Sequence, residues 1–218
     1  MIIDPAELGR RELNALLNGL VAPRPIAWVS TVAADGTRNL APFSFFNAFS
    51  FFPPTIGIGP GSRNGINKDS LRNIRETRAF VVNLVNEDLA ELANLSSAEF
   101  PSDVDEWELT GLEPAPSVVV APERVAASPA SLECRVRQIV DLGDPELPTN
   151  SLVIAEVVRL HVVDEALDGL TPRPEALRLV GRMGGDWWLR TTDRFALPRP
   201  GSADVSQLRA GALGHSAI

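Results

Sequence analysis

Two long stretches of β-forming residues in the second half of the chain constrain the fold more than any other feature. From Leu132 to Gln138, apolar side chains alternate with polar ones, which is the two-residue period of a half-buried strand. From Ser151 to Asp164, Val, Ile and Leu dominate fourteen consecutive residues. Strands of this length, with only short helical patterns elsewhere, favour a β-barrel over a doubly wound sheet. We therefore predict a mainly β fold with short helices.

The first half of the chain predicts short helices and strands. Asp4 followed by Pro5 predicts the start of a helix that stops at Gly19, and Asp35-Gly36 is a two-residue hairpin signal. Residues 96–129 are rich in Pro, Glu, Asp and Ser and predict a long surface excursion. The other predicted elements are strands at 26–33, 38–41, 56–58 and 79–85 and helices that start at Asp69 and Glu87.

Charge and hydropathy exclude several classes of partner. The formal net charge is -8 and no run of Lys or Arg is present, so we expect no nucleic-acid partner. The apolar runs are far shorter than the 18 or so residues that a membrane helix requires, so we expect no membrane span. Cys134 is the single cysteine, and no secretory signal pattern follows Met1. We expect a cytoplasmic protein with one domain at 1–200 and a poorly ordered tail at 201–218.

The side chains that most often carry catalysis are scarce. The chain has two histidines and no tyrosine, and no Cys/His cluster suits a metal. A Ser-His-Asp site would have to use His161, inside a predicted strand, or His215, in the tail. Gly57, Gly59 and Gly61 do not complete a dinucleotide fingerprint, because Ser62 occupies the third glycine position. If the protein is an enzyme, we expect a cofactor to carry its chemistry.

Four segments occur in an order that is specific as a set: Pro23 to Thr31, Leu40 to Pro54, Asn67 to Ile74, and Phe80 to Val85. Together they resemble the flavin-reductase-like FMN-binding proteins, in particular the flavoredoxin-like branch. The likeness extends from about Asp4 to Pro200 and includes Pro174 to Trp188. The resemblance implies an FMN-binding split β-barrel of Greek-key type, a single domain and a homodimer. We expect no metal, because no Cys/His cluster is present.

The resemblance also implies which residues hold FMN. Lys68 and Ser70, at the start of a predicted helix, match the phosphate site, where the helix dipole and a lysine favour an anion. Ser30 and Thr31 match a hydroxyl pair that touches the flavin or its ribityl phosphate arm. The matching loop along the isoalloxazine comprises Ser44, Phe45, Phe46, Asn47, Ala48 and Ser50. The nicotinamide-side candidates are Arg182, Met183, Trp187 and Trp188.

Each of these patterns also has a purely structural interpretation. Lys68 then belongs to a solvated, capped helix, Ser30 and Thr31 are ordinary strand residues, and the phenylalanines between Phe43 and Phe51 are core. Trp187 and Trp188 then lie half-buried on an edge strand.

The function implied is an oxidoreductase of the flavin reductase type. It would take a hydride from NADH or NADPH directly onto flavin N5, with no catalytic side chain, and pass electrons to free flavin or another acceptor. A flavin-accepting monooxygenase or a redox protein would be a partner. Two alternatives stay open: an FMN-holding electron carrier without productive NAD(P)H turnover, and a non-enzymatic split-barrel module that binds another ligand.

Overall fold

A computed structural model describes residues 1–63, 66–98, 100, 104–143 and 150–199. The predicted tail at 201–218, which includes His215, lies outside the described residues. Short 3₁₀ helices occupy Pro5–Glu7, Glu87–Leu89 and Asp164–Ala166. The α-helices within these ranges are α1 (Arg10–Leu20), α2 (Asp69–Thr77), α3 (Ala90–Leu95), α4 (Glu106–Thr110) and α5 (Pro174–Leu177).

Strands make up most of the regular structure, as predicted. In chain order they are β1 (Arg24–Pro25), β2 (Ala27–Val32), β3 (Arg38–Phe43), β4 (Phe46–Phe51), β5 (Pro54–Ile58), β6 (Ser62–Arg63), β7 (Ile66–Asn67), β8 (Ala79–Leu84), β9 (Pro114–Ala115), β10 (Arg124–Val125), β11 (Ala130–Leu142), β12 (Asn150–Val162), β13 (Leu167–Asp168), β14 (Thr171–Pro172), β15 (Val180–Arg182) and β16 (Trp188–Arg190). The mainly β fold with short helices is confirmed.

One seven-stranded antiparallel sheet forms the body of the protein. Its order is β3-β2-β8-β11-β12-β5-β4, so β3 and β4 are its two edges. Only Ser44 and Phe45 separate these edge strands along the chain, and a link this short spans about 10 Å when fully extended. The two edges must therefore approach each other, which curls the sheet into a barrel that is split between β3 and β4.

Two hydrophobic clusters stabilise the barrel. The first packs α2 against the sheet through Leu71 and Ile74, which contact Phe80 and other buried strand residues. The second contains Trp28, Leu40, Val85, Trp107 and Val125. Ala27 and Val29 belong to the first cluster and Trp28 to the second, because successive strand residues point to opposite faces. Strand β2 is therefore buried on both sides.

The first predicted helix is wrong in its bounds. Asp4 does cap a helical turn at Pro5–Glu7, but α1 begins separately at Arg10, where the Glu12 carboxylate accepts the Gly9 N–H at 2.9 Å. Gly19 does not stop α1, which continues to Leu20. A Cβ added to Gly184 would lie 3.0 Å from the Gly19 Cα, so these two glycines allow α1 to lie close to the 183–187 turn.

The predicted surface excursion is partly wrong, because part of it is buried. It contains α4, β9 and β10, and Trp107 and Val125 are 3% and 0% exposed. Residues 117–123, which we call the strap, have no regular structure and lie against strands β2 and β11 of the sheet. The fully buried Glu133 carboxylate accepts the N–H groups of Val118, Val119 and Val120 at 2.6–3.0 Å and contacts His161 Nε2 at 2.6 Å. A single side chain of β11 thus anchors the strap.

Candidate functional site

The Ser44–Phe45 turn lies where the barrel is split. Phe45 O accepts the Gly59 N–H at 2.7 Å, and a Cβ on Gly59 would lie 2.9 Å from the Phe45 Cβ. Glycine is thus required for the turn to lie against the end of β5. The Phe45 side chain remains about half exposed, at 52%. An aromatic surface next to a backbone turn is therefore presented at the opening of the barrel.

The segment predicted as a loop from Ser44 to Ser50 is instead a turn followed by strand β4. Phe46, Asn47, Ala48 and Ser50 all belong to the strand, and β5 is its one partner among the strands that the structure describes. As an edge strand, β4 leaves the polar backbone groups on its other side outside the sheet. The Ala48 N–H is bonded to the Asn47 side chain at 2.8 Å.

Arg24 joins this turn to two other parts of the chain. Its Nε donates to Ser44 Oγ at 3.3 Å, and its Nη1 donates to the carbonyls of Asn18 and Val21 at the end of α1, both at 2.6 Å. Its Nη2 donates to the Met183 carbonyl at 3.1 Å. The residue is only 7% exposed, and its guanidinium lies 5.9 Å from the Phe45 ring centroid. Arg24 is therefore a buried cation at the centre of the candidate site.

The nicotinamide-side candidates lie beside Arg24 on a small sheet with the order β1-β15-β16. Arg24 is paired with Arg182, and Arg182 is paired with Trp188, so the three side chains form one row across the strands. Arg182 stacks on Trp188 at 5.2 Å, whereas Trp187 is 76% exposed. Burial, followed by the charge of Arg182, lowers the pKa of Arg24. Two like charges side by side favour the binding of an anion.

Lys68 marks the other end of the site. It is the only lysine in the chain, it is exposed, and it occupies the N-cap position of α2, as predicted. The Lys68 side chain does not cap this helix, because lysine offers no acceptor to the first-turn N–H groups. Lys68 Nζ lies 5.7 Å from the ring centroid of Phe43, the residue before the Ser44–Phe45 turn. The helix start and the turn are thus neighbours.

The hydroxyl groups of the predicted site are less accessible than Lys68. Ser70 is 1% exposed, and its Oγ accepts a hydrogen bond from Asn39 at 2.8 Å. Thr31 is 2% exposed and accepts one from Asn73 of α2 at 3.1 Å. Both therefore lie in the polar seam between α2 and strands β2 and β3.

Ser30 is separated from the other predicted residues. Its neighbour Thr31 points to the α2 side, so Ser30 points to the opposite face of β2. There its hydroxyl donates to the Glu123 carbonyl of the strap at 2.5 Å and accepts from Asn83 at 3.4 Å. Arg24 thus links five of the predicted residues, which are Ser44, Phe45, Arg182, Met183 and Trp188. Lys68 is joined to them through Phe43. Ser30 is separate, because it lies under the strap.

The charge of the site is positive. Among the residues that the structure describes, no carboxylate forms an ion pair with Arg24, Lys68 or Arg182.

Sequence reasoning missed Arg24, although its position between Pro23 and Pro25 at the entrance to a buried strand was a usable signal. The residues present fit a ligand that combines an anionic group with a flat aromatic ring. The described part of the chain has no cluster of three or more His, Cys, Asp or Glu side chains suited to a metal.

Comparison with known proteins identifies the family to which this fold belongs. Residues 20–177 match the flavin reductase like domain family, and the chain therefore belongs to the flavin-reductase-like family. It is 39% identical to an uncharacterized protein of Halalkalibacterium halodurans over 202 residues, which are 92% of this chain and 97% of that protein.

Two solved structures are similar over nearly their whole length. One is nitrilotriacetate monooxygenase component B from Bacillus cereus, with a TM-score of 0.87 and 31% identity over 90% of this chain and 98% of that one. The other is 2-nitrobenzoate 2-nitroreductase of Pseudomonas fluorescens, with a TM-score of 0.83 and 33% identity over 92% and 96%. Flavoredoxin of Desulfovibrio vulgaris shares the fold, with a TM-score of 0.68 and 18% identity over 81% and 91%.

None of the helices in the described ranges has the length and apolar character needed to cross a bilayer.

Proposed function

We propose that this protein binds FMN at the opening between β3 and β4, takes a hydride from NADH or NADPH, and passes electrons to free flavin or to another acceptor. The observation that carries the proposal is the set of Arg24, Lys68 and Arg182 around the Ser44–Phe45 turn, without a carboxylate partner among the described residues. Bound FMN would supply the capacity to accept a hydride and to release electrons.

The start of α2 is the proposed phosphate site. The helix start provides the positive end of a helix dipole, the N-cap side chain makes no capping hydrogen bond there, and Lys68 adds a full charge. Because Ser70 and Thr31 are buried and hydrogen-bonded to Asn39 and Asn73, their role is to hold α2 against β2 and β3. Of Lys68, Ser70 and Thr31, Lys68 is the residue accessible to a phosphate.

The Ser44–Phe45 turn and edge strand β4 are proposed to meet the flavin ring. The unpaired side of β4 offers backbone donors to the polar edge of the ring, and Phe45 offers an aromatic surface. Such donors stabilise negative charge that develops when a ring is reduced. Direct hydride transfer needs close stacking of two rings and no acid or base, which agrees with a site that lacks His and Cys.

The nicotinamide nucleotide is proposed to bind beside Arg182, Met183, Trp187 and Trp188. Trp188 and Arg182 form a stacked pair that provides a flat surface and a positive charge in one place. Arg182 can donate to a phosphate oxygen in a forked geometry, which a lysine cannot do.

Two relatives suggest different electron acceptors. The similarity to a monooxygenase component B favours free flavin, delivered to a partner monooxygenase, whereas the similarity to a nitroreductase favours a nitroaromatic acid. The rate of NADH oxidation with excess FMN, compared with the rate with 2-nitrobenzoate, distinguishes these two acceptors. We propose free flavin as the acceptor, because the site opens to the surface at the half-exposed Phe45.

A second copy of the chain is proposed to cover β4. Phe49, Phe51 and Phe52 are 67%, 83% and 96% exposed on one short segment, which is unusual for a monomer. A symmetric dimer would bury these rings and enclose the site, as expected from the resemblance to homodimeric flavin reductases.

An anaerobic titration tests the function. Protein reconstituted with FMN is mixed with NADH or NADPH, and the visible absorbance of the flavin is followed. The proposal predicts bleaching by at least one nucleotide, followed by reoxidation when free flavin is added. Bound FMN that neither nucleotide bleaches would instead support an electron carrier. A protein that cannot be reconstituted with FMN would support a non-enzymatic binding module.

A further inference from the structure

We propose that Arg24 is a positioning residue, whose buried guanidinium fixes the Ser44–Phe45 turn relative to α1 and to the turn that follows β15. This inference rests on the proposed function, because the turn is the segment proposed to face the flavin.

The hydrogen bonds of Arg24 leave its guanidinium little freedom. Its donors form a planar fork, and the Nη1 and Nη2 groups are directed to main-chain carbonyls of Asn18, Val21 and Met183. Carbonyls at a helix end and in a tight turn are rigid acceptors, and a cation at a helix C-terminus is favourable. The direction of the remaining Nε–H is therefore set, and it points to Ser44 Oγ at 3.3 Å.

The turn itself has few other restraints. Gly59 holds Phe45 from the β5 side through one backbone hydrogen bond of 2.7 Å. On the opposite side, Arg24 provides both the bond to Ser44 and the contact with the Phe45 ring at 5.9 Å. The position of the turn at the barrel opening thus depends on a residue that is itself almost inaccessible to a ligand.

Arg24 also links the two halves of the candidate site. Met183, on the proposed nicotinamide side, and Ser44, on the proposed flavin side, are bonded to the same guanidinium. Lysine would keep the positive charge but lacks the planar fork, so it cannot hold these groups together in one geometry. Charge and positioning can therefore be separated by substitution.

A double-mutant cycle with Arg24→Lys and Ser44→Ala tests the inference. Fluorescence quenching measures the dissociation constant for FMN in each variant, and thermal melting checks that each variant is folded. If Arg24 acts through the turn, Arg24→Lys should weaken FMN binding about tenfold, and adding Ser44→Ala should weaken it little further, because interacting sites are not additive. The visible spectrum of bound FMN should shift in both single variants. Arg38→Lys is the matched control, since Arg38 also contacts an aromatic ring, that of Trp107 at 5.8 Å, and it should leave FMN affinity unchanged.

The possible outcomes distinguish this inference from the proposed function. A wild-type protein that binds no FMN overturns the proposed function and the inference with it. If the wild type binds FMN, equal binding by Arg24→Lys, or independent additive effects of the two substitutions, overturns the inference alone. If Arg24→Lys does not fold, Ser44→Ala decides, because unchanged affinity and spectrum in that variant would show that the bond to Arg24 does not position the turn.

Discussion

Lys68 and Arg24 are both cations without a carboxylate partner among the described residues, but they differ in burial, and this difference gives them different roles. An exposed ammonium at a helix start attracts an anion directly. A guanidinium that is 7% exposed and bonded to three carbonyls acts through the groups that it holds. The positive charge of Lys68 thus attracts a ligand, whereas the guanidinium of Arg24 holds the protein groups around the site in position.

Reversal of the charge at Lys68 should weaken FMN binding. Lys68→Glu places a negative charge where the phosphate is proposed to lie, and we expect the dissociation constant to rise at least about tenfold, with a smaller effect for Lys68→Gln. Titration calorimetry measures both. Arg11→Glu makes the same charge change on the exposed surface of α1 and should have no effect. Wild-type affinity in Lys68→Glu would remove this residue from the site.

Lys68 can also be probed by chemical modification. Because it is the only lysine, an amine-selective acylating reagent can label only this side chain and the N-terminus. We expect bound FMN to slow acylation of Lys68 several-fold but to leave the N-terminal rate unchanged, as read by mass spectrometry. Equal protection of both amines, or of neither, would argue against direct contact.

Glu106 should give a measurable pH dependence of stability. Its carboxylate accepts the Leu40 N–H of edge strand β3 at 3.1 Å, and burial raises its pKa despite this bond. The folded state therefore holds the proton more tightly than the unfolded state, and stability falls as pH rises from the unfolded pKa through the folded one. Glu106→Gln keeps an acceptor oxygen without the charge, so urea unfolding at about pH 7 should show equal or slightly higher stability. A clear loss of stability would contradict this account.

Among the elements, the strap shows how an irregular segment is held without a strand or helix. Its anchor is Glu133, whose two oxygens accept three consecutive backbone N–H groups. Burial alone would raise the pKa of Glu133, but these donors and His161 together hold it below the ordinary value. The strap in turn covers Ser30, which explains why this residue lies apart from the candidate site.

Glu133→Gln should destabilise the fold by about 2–4 kcal/mol at neutral pH, because the amide nitrogen would face N–H donors in a buried site. The lowered pKa means that the stabilisation by Glu133 is present above its unfolded pKa and is lost as pH falls through the folded value. The difference between wild type and variant in urea unfolding should therefore shrink as the pH falls below the ordinary pKa of a glutamate. A difference that does not change with pH would show that the charge of Glu133 is not what holds the strap.

For the whole molecule, the split between β3 and β4 decides both the site and the exposed surface. A closed barrel would have no opening for a ring and no free edge on β4. The split creates the opening and leaves the edge of β4 free, and the apolar side chains of Phe49 and Phe51 are exposed on that strand.

Phe51→Glu should convert the proposed dimer to a monomer, because it places a charge in the apolar surface that the second copy would cover. Light scattering during gel filtration measures the mass. If the partner encloses the site, the monomeric variant should also bind FMN more weakly than the wild type. Leu170→Glu is the control, because Leu170 lies outside β4 and is at least as exposed as Phe51. A monomeric wild type would contradict the proposed assembly.

The sequence by itself determined the elements whose signal is local. Alternation and β-branched residues predicted β11 and β12, the Asp35-Gly36 turn predicted the β2–β3 hairpin, and Lys68-Asp69 marked the start of α2. The ordered motifs predicted the family and its split barrel. Each element and each single motif depends on residues that are close together in the chain, so a periodic pattern or a motif is sufficient to reveal it.

Only the tertiary structure decided which of the predicted residues meet. The side of β2 on which Ser30 and Thr31 lie depends on where α2 and the strap pack, and the role of Arg24 depends on Asn18, Ser44 and Met183, which are far apart in the chain. Likewise, the contact between Glu133 and the strap follows from burial and not from any local pattern. Hydrogen bonds of buried polar groups are fixed by the neighbours that the fold supplies, and those neighbours carry no signal in the sequence around the group itself.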